Sequence, residues 1–181
     1  MKISRAELIA QSLVLIEQGG VERLSMRALA GRLGVRQSAL YWHVRNKDEL
    51  LGRIIASLYR QALDAVPDKA DWREWLIDFA YAYRAVLRSH REAAKVALQV
   101  KPVFDDADEA AEAFMSRLTE RGVSHELALT FEASVISLVV GWMVIEQNEA
   151  LHARLSNLIV EEQAFETGLR AMVAGFPDSD R

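Results

Sequence analysis

The sequence predicts an all-α protein, and three observations support this fold class. The chain of 181 residues contains only 3 prolines and 9 glycines. Long stretches between them are rich in Ala, Leu, Glu and Arg, which favour helices. Hydrophobic residues make up 51% of the chain and charged residues 27%, a composition typical of a globular protein rather than a disordered one. These observations exclude β-sandwiches and β-barrels.

Nine helices are predicted, and those near the N-terminus are delimited by residues that start or stop helices. The nine span about residues 4–18, 25–33, 37–43, 46–66, 71–89, 91–99, 102–121, 124–149 and 156–174. The first ends at Gly19 and Gly20, because glycine adopts the left-handed conformation that closes a helix. Ser25 and Asn46 have side chains that accept hydrogen bonds at helix N-termini. Gly34 turns the chain between the second and third helices.

The C-terminal helices are delimited in the same way. Asp71 and Ser124 begin the fifth and eighth helices as N-caps, and Gly175 closes the last one. The eighth helix contains the uncharged run Ala133–Ile145, which at 13 residues is shorter than the roughly 20 residues that span a bilayer. We therefore expect a buried helix there, and no membrane partner.

Charge is distributed unevenly along the chain. Residues 1–60 contain ten Lys and Arg side chains against five acidic ones, and residues 61–181 contain twelve against twenty-one. The net charge of −4 therefore combines a balance of +5 with one of −9. Either basic residues cluster by chance on solvated faces, or the first part binds a polyanion such as nucleic acid. Charge alone leaves both interpretations open. Together with the helix-turn-helix spacing of the second and third helices, it leads us to predict a DNA-binding domain at 1–47 and a helical body at 48–181, connected by the helix at about 46–66.

The second and third helices have the spacing of a helix-turn-helix motif, with Gly34 at the turn. In such a motif the start of the second helix meets base edges in the major groove, and neighbouring residues bond phosphates. Gln37 is the predicted base reader, because its amide can form two hydrogen bonds with one base. The predicted contacts to double-stranded DNA are Arg27, Arg36, Gln37, Ser38, Ala39, Tyr41, Trp42, His43 and Lys47. Similar helix pairs occur without DNA function, and Trp42 would then be a core residue.

Residue content limits the chemistry of the chain. The absence of cysteine excludes disulfides and thiolate metal sites and suits the cytoplasm, and the N-terminus lacks the apolar region of a secretory signal. The acidic group Asp105, Asp106, Asp108 and Glu109 lacks the glycine and distal glutamate of a calcium loop, so we interpret it as a helix start. No nucleophile constellation or phosphate-binding glycine loop is present in the sequence. Neither an enzyme nor a cofactor or metal site is predicted.

Several segments closely resemble the TetR family of transcriptional regulators. In the DNA-binding part these segments are 24–30, 33–35, 40–44, Asn46-Lys47 and Leu50-Leu51. The run Leu-Tyr-Trp-His-Val at 40–44 is similar to the tetracycline-repressor branch of the family. The resemblance continues through Ser89-His90-Arg91 to Lys101-Pro102. It implies a homodimeric repressor whose helical body, from residue 48 onward, binds a small-molecule effector that releases the operator.

The expected effector site departs from that branch. Ala97 stands where a histidine coordinates the drug's magnesium, and Phe79 and Val100 stand where an asparagine and a threonine are expected. Because polar contacts have become apolar, we expect a largely apolar organic effector and no metal. The predicted effector contacts are Phe79, Tyr83, Ala97, Val100, Lys101, Pro102, Trp142 and Glu146.

The uncharged run Ala133–Ile145 also predicts how the chain assembles. A helix that is apolar almost all round must be buried on more than one side, and pairing it with the last helix across a twofold axis would form a four-helix interface. The predicted interface residues of this obligate homodimer are Ser137, Val140, Gly141, Val144, Phe165 and Leu169. Two alternatives stay open: an architectural DNA-binding protein without effector, and a helical-bundle enzyme.

Overall fold

The structure of the chain, a computed structural model, describes residues 3–103 and 109–178. These residues form ten α-helices and one short 3-10 turn at Val21–Arg23, without strands in the described ranges. The helices are α1 (Arg5–Gly19), α2 (Met26–Leu33), α3 (Gln37–Leu40), α4 (Lys47–Ala65), α5 (Trp72–Arg88), α6 (Ala93–Gln99), α7 (Glu109–Thr119), α8 (His125–Gln147), α9 (Glu149–Ser156) and α10 (Glu161–Ala174). The predicted all-α class is confirmed.

The helices begin at the predicted caps. Ser25 accepts a hydrogen bond from the Ala28 amide at 3.1 Å, and Asn46 accepts one from the Glu49 amide at 2.8 Å. Ser124 likewise caps α8. Each cap satisfies an amide that would otherwise lack a partner at the first turn of its helix.

The chain departs from the prediction after α8. The last helix begins at Glu161 rather than near residue 156, and a separate helix, α9, precedes it. Asn148 causes this division, because its side chain accepts a hydrogen bond from the Leu151 amide at 3.1 Å and so starts a new helix. The acidic group at 105–108, predicted to begin the seventh helix, lies outside the described residues.

An N-terminal head of α1, α2 and α3 packs against α4, which also packs along α5 in the body. The centre of the body is aromatic. Phe79 of α5 is fully buried, with its ring stacked on Trp75 at 5.8 Å and edge-on to Phe114 of α7 at 5.0 Å. Because α4 contacts both head and body, it can transmit a displacement between them.

A buried cation fixes α5 to the two C-terminal helices. The guanidinium of Arg84, 3% exposed, donates to Glu146 of α8 at 2.7 Å and to Glu162 of α10 at 2.8 Å. It also lies 4.1 Å from the ring centroid of Phe165. A buried charge with this many partners holds its neighbours in one arrangement, because losing a partner would leave an uncompensated charge.

Candidate nucleic-acid interface and effector cavity

Helices α2 and α3 form the predicted helix-turn-helix. Leu29, Leu33 and Leu40 are buried between them and the rest of the head. Gly34 ends α2 with φ of 68°, a left-handed backbone conformation that residues with a Cβ rarely adopt. The Val35 amide then donates to the Ala30 carbonyl at 3.0 Å, which closes the turn.

The outer surface of this motif exposes most of the predicted DNA contacts. The exposed side chains are Arg27, Arg36, Gln37, Ser38, Tyr41 and Trp42, whereas Ala39 and His43 are half-buried. Trp42 is 88% exposed, so it is not a core residue within this chain. The amide Nε2 of Gln37, at the start of α3, donates to the hydroxyl of Tyr41, the residue that follows α3, at 3.0 Å, and this bond orients both side chains.

Lys47 has a structural partner that the sequence did not indicate. Its Nζ donates to the carbonyl of Val21 at 2.8 Å and so links the start of α4 to the 3-10 turn. An ammonium group has three donors, so this bond leaves two for a phosphate.

A carboxylate near the start of α4 is held by two arginines. Arg45 pairs with Glu49 at 2.8 Å, and Arg53 pairs with the other oxygen of Glu49 at 2.9 Å. Hydrogen bonds from Arg45, joined by one from Arg53, lower the pKa of Glu49 to about 2. The Glu49 carboxylate is therefore ionised throughout the neutral range.

Glu92 connects the head directly to the body. This residue precedes α6 with φ of 57°, and its carboxylate accepts a hydrogen bond from the Val21 amide at 2.6 Å. Nearby, the Arg91 amide donates to Glu17 of α1 at 2.8 Å. Sequence reasoning missed this contact of Glu92, because nothing local indicates a bond between residues so far apart in the chain.

A cavity of about 400 Å³ lies in the body between α4, α5, α6 and α8. Its described lining consists of Ile55, Tyr59, Tyr83, Ala97, Leu98, Pro102, Glu132, Ile136, Ser137, Val140 and Gly141. Most of these side chains are apolar, and the volume is within the range of small-molecule sites. The cavity is therefore the candidate effector site.

The polar groups of the cavity come from two tyrosines, one serine and one glutamate. The Tyr59 hydroxyl donates to the carboxylate of Glu132, across from α4 to α8. Burial raises the pKa of Tyr83 to about 12, and burial together with the nearby Glu132 also raises the pKa of Tyr59. Both hydroxyls are therefore protonated donors at neutral pH. Burial likewise raises the pKa of Glu132.

Comparison with known protein families accounts for both the head and the body. Bacterial regulatory proteins of the tetR family match residues 8–54, and the tetracyclin repressor-like C-terminal domain matches residues 66–158. The chain belongs to the TetR family. As a member it is a ligand-responsive transcriptional regulator that binds operator DNA and dimerises, and the enzyme alternative is set aside.

Individual members of the family are similar to this chain in sequence or structure over nearly its whole length. Tetracycline repressor protein class A from transposon 1721 of Escherichia coli is 33% identical over 180 residues, which cover 98% of this chain and 83% of the relative. A TetR variant from Acinetobacter baumannii AYE, solved with minocycline, has a TM-score of 0.79 at 30% identity and 97% coverage of both chains. TetR of class A with 5a,6-anhydrotetracycline and magnesium has a TM-score of 0.73 at 30% identity, covering 93% of this chain and 95% of that one.

The cavity of this TetR-family chain contains only part of the predicted effector site. Tyr83, Ala97 and Pro102 line it. Phe79 lies instead in the aromatic core, and Val100 is half-buried outside the lining.

Three further predicted effector contacts also lie outside the described lining of the cavity. Lys101 is exposed. The ring of Trp142 packs edge-on against Phe165, with ring centroids 6.2 Å apart. Glu146 is engaged by Arg84 and by Arg88, the latter at 3.1 Å. Sequence reasoning missed Tyr59 and Glu132, because their contact joins α4 to α8 and leaves no local signal.

The cavity does not fit the magnesium that accompanies the drug in one relative. Ala97 presents a methyl group, and the described lining contains one carboxylate and no imidazole. Across residues 3–103 and 109–178, no cluster of three or more His, Cys, Asp or Glu side chains could hold a metal ion. A chelated cation would therefore find few ligands here.

The predicted interface residues of this regulator divide between its core and its surface. Within one chain Val140 is 4% exposed, and Phe165 and Leu169 are fully buried, so these three are core residues of the subunit. Ser137 and Gly141 are exposed, and Val144 is half-buried.

Helix α8 is long and apolar enough to cross a membrane by length and composition, although a packing helix of a soluble protein passes the same test. Only 33% of its most apolar segment is buried. The predicted burial of this helix is therefore partial within a single chain.

Proposed function

We propose that the chain is a repressor released from its operator by a small, largely apolar organic molecule bound in the cavity. The observation that carries this proposal is the lining of the cavity, where apolar side chains surround a few hydroxyl groups and one carboxylate. Sites of this kind bind organic ligands through buried apolar area and a few orienting hydrogen bonds. An architectural DNA-binding protein would have no use for such a cavity.

The proposed route from the cavity to the DNA runs through α4. Pro102 lines the cavity, and the Val103 amide of the same segment donates to the carbonyl of Gly52 on α4 at 3.1 Å. A ligand that displaces Pro102 would thus move a segment bonded to the helix on which the head is mounted. A rotation of the head would change the separation of the two recognition helices in the dimer, which must meet successive major grooves.

The other assignments of this proposal follow from the same arrangement. The exposed face of α3, with Gln37 at its start, enters the major groove, and Arg27 bonds phosphate. The boundary between the DNA-binding domain and the body falls at the start of α4, near residue 47. Because operator DNA is in the cytoplasm, we infer that the chain acts there.

A thermal-shift screen followed by operator titration tests the proposal. A ligand at a hundredfold excess over its Kd raises the free energy of unfolding by about 2.7 kcal/mol, which a screen of aromatic compounds detects. Compounds that stabilise the protein should also release a fluorescent operator fragment in an anisotropy titration. If stabilising ligands leave operator binding unchanged, the chain is a DNA-binding protein without effector response. Tight tetracycline binding that requires magnesium and disappears with a chelator would contradict the apolar effector.

A further inference from the structure

Glu132 is the only charged side chain among the described residues that line the cavity. It lies on α8 and shares the lining with Ile55, Ile136 and Val140. An ionised carboxylate in an apolar site is unfavourable unless a cation or several hydrogen bonds compensate it. Its presence in a cavity of this composition calls for a partner.

The described part of the chain supplies Glu132 with a hydrogen bond but with no cation. The Tyr59 hydroxyl donates to one of its oxygens. The ion pairs of the described body, such as those of Arg84 and Arg121, involve other carboxylates. The second oxygen of Glu132 therefore has capacity for a donor that enters with a ligand.

We propose that Glu132 binds a basic amine on the effector, so that the ligand is an apolar, ring-containing molecule carrying one ammonium group. This inference rests on the proposed function, because it assigns the chemistry of the same cavity. An ammonium group donates a charge-assisted hydrogen bond to a carboxylate, which is stronger than the bond from a neutral hydroxyl. An anionic ligand would instead be repelled by the carboxylate.

The aromatic side chains beside Glu132 favour the same ligand. Tyr59 and Tyr83 both line the cavity, and their ring centroids lie 5.8 Å apart in an edge-to-face arrangement. The face of a tyrosine ring attracts a cation within about 6 Å of its centroid. The carboxylate and the neighbouring rings would receive the charged end of the ligand, while Ile55, Leu98 and Ile136 line the space for its apolar body.

Three probes that share one ring system test this proposal: aminomethylanthracene, anthracenemethanol and anthracenecarboxylate. Each is fluorescent, so its binding to the wild-type protein can be titrated directly. We expect the amine to bind at least about tenfold more tightly than the alcohol, with the carboxylate weakest, which corresponds to about 1.4 kcal/mol or more. In Glu132→Gln the amine should lose this advantage while the alcohol binds as in wild type.

A control variant and the comparison of probes in wild type make the proposal falsifiable even if one variant fails to fold. Glu126→Gln changes an exposed carboxylate on the same helix and should leave the preference for the amine intact. Equal affinity of wild type for amine and alcohol, or no binding of the amine at about 1 mM, would overturn the proposal without any variant. An unchanged amine preference in Glu132→Gln would overturn it as well.

Operator release with the same probes separates this inference from the proposed function. If the amine binds preferentially through Glu132 but does not release the operator, the ligand chemistry is correct and the regulatory role of the cavity is wrong. If the alcohol binds and releases the operator as well as the amine does, the cavity is regulatory and the amine assignment is wrong.

Discussion

The Gln37 amide and the Tyr41 hydroxyl lie one helical turn apart and are hydrogen-bonded before any DNA is present. This contact restricts the rotamers of Gln37, so that less conformational entropy would be lost in the predicted contact of its amide with a base. The oxygen of the Gln37 amide stays available as an acceptor, and the second N–H of the amide stays available as a donor. Gln37, the predicted base reader, and Tyr41 are therefore linked to each other rather than independent.

We expect Gln37→Ala to relax sequence preference at one base pair of each half-site. The cost should be about 1–3 kcal/mol for the preferred operator and little for other sequences. Arg27→Ala changes an exposed cation on α2 and should weaken binding to all DNA sequences alike. It should also reduce the slope of the logarithm of the binding constant against the logarithm of salt concentration by about one. Salt-dependent titrations of operator and scrambled DNA measure both effects, and identical behaviour of the two variants would refute the division of roles. Lys47 is less suitable for testing a phosphate contact, because its Nζ also donates a hydrogen bond to the Val21 carbonyl, and its replacement would disturb the head as well.

Glu49 predicts a pH dependence of stability at the head. Its pKa falls from an ordinary 4.5 to about 2 in the folded chain, mainly through hydrogen bonds from Arg45. A lowered carboxyl pKa stabilises the fold above the unfolded value, and that contribution disappears as the pH falls through the folded value. Glu49→Gln should therefore be less stable than wild type at neutral pH, and the difference should shrink from pH about 4.5 toward about 2. Urea unfolding of both proteins across this range is the measurement, and a constant difference would contradict it.

At the scale of elements, close packing between α4 and the segment after α6 depends on a glycine. A Cβ on Gly52 would lie 2.4 Å from the Lys101 carbonyl oxygen and 2.8 Å from Cγ2 of Val103. No real Cβ tolerates these separations, so α4 and the segment 101–103 would have to move apart.

We expect Gly52→Ala to destabilise the protein by about 1–3 kcal/mol, because overpacking outweighs the gain in helix propensity. Gly31→Ala is the matched control, since a Cβ on Gly31 of α2 meets no atom within 4 Å. That variant should gain up to about 1 kcal/mol from propensity alone. Urea unfolding compares the two, and equal stabilities would show that the contact at Gly52 is not tight.

The elements differ in how far the sequence could predict them. The caps at Ser25 and Asn46 and the turn at Gly34 depend on residues within one helical turn, so the head was predictable. The bond between Tyr59 and Glu132 joins residues 73 apart, and the bond between Val21 and Glu92 joins residues 71 apart. Such contacts depend on how α4, α6 and α8 pack, which no local pattern specifies. The cavity was therefore predicted only where the family resemblance supplied an alignment, at Tyr83, Ala97 and Pro102.

At the scale of the whole molecule, the surface of α8 reveals what a single chain leaves unburied. Leu129, Ala133, Ser137 and Gly141 are exposed at intervals of four residues and therefore lie on one face of the helix. The large apolar side chain of Leu129 is 48% exposed. An apolar face with small residues lets a second helix approach closely. The use of α8 in the dimer stays a prediction, and Val140, Phe165 and Leu169 belong to the subunit core.

We expect Gly141→Arg to convert the homodimer into a folded monomer. Gly141 is exposed, and a Cβ at this position meets no neighbouring element within 4 Å, so the subunit accommodates a side chain there and the arginine also improves helix propensity. In a dimer the guanidinium would be buried between two helices without a partner, which is strongly unfavourable. Because Gly141 also borders the cavity, Leu129→Arg provides a second variant on the same face but outside the lining.

Gln61→Arg, an exposed position on α4, is the control and should stay dimeric. Light scattering with circular dichroism measures mass and helicity, and loss of the dimer should also abolish tight operator binding, since one head meets only one half-site. Dimeric Gly141→Arg and Leu129→Arg proteins would show that α8 pairs through another face.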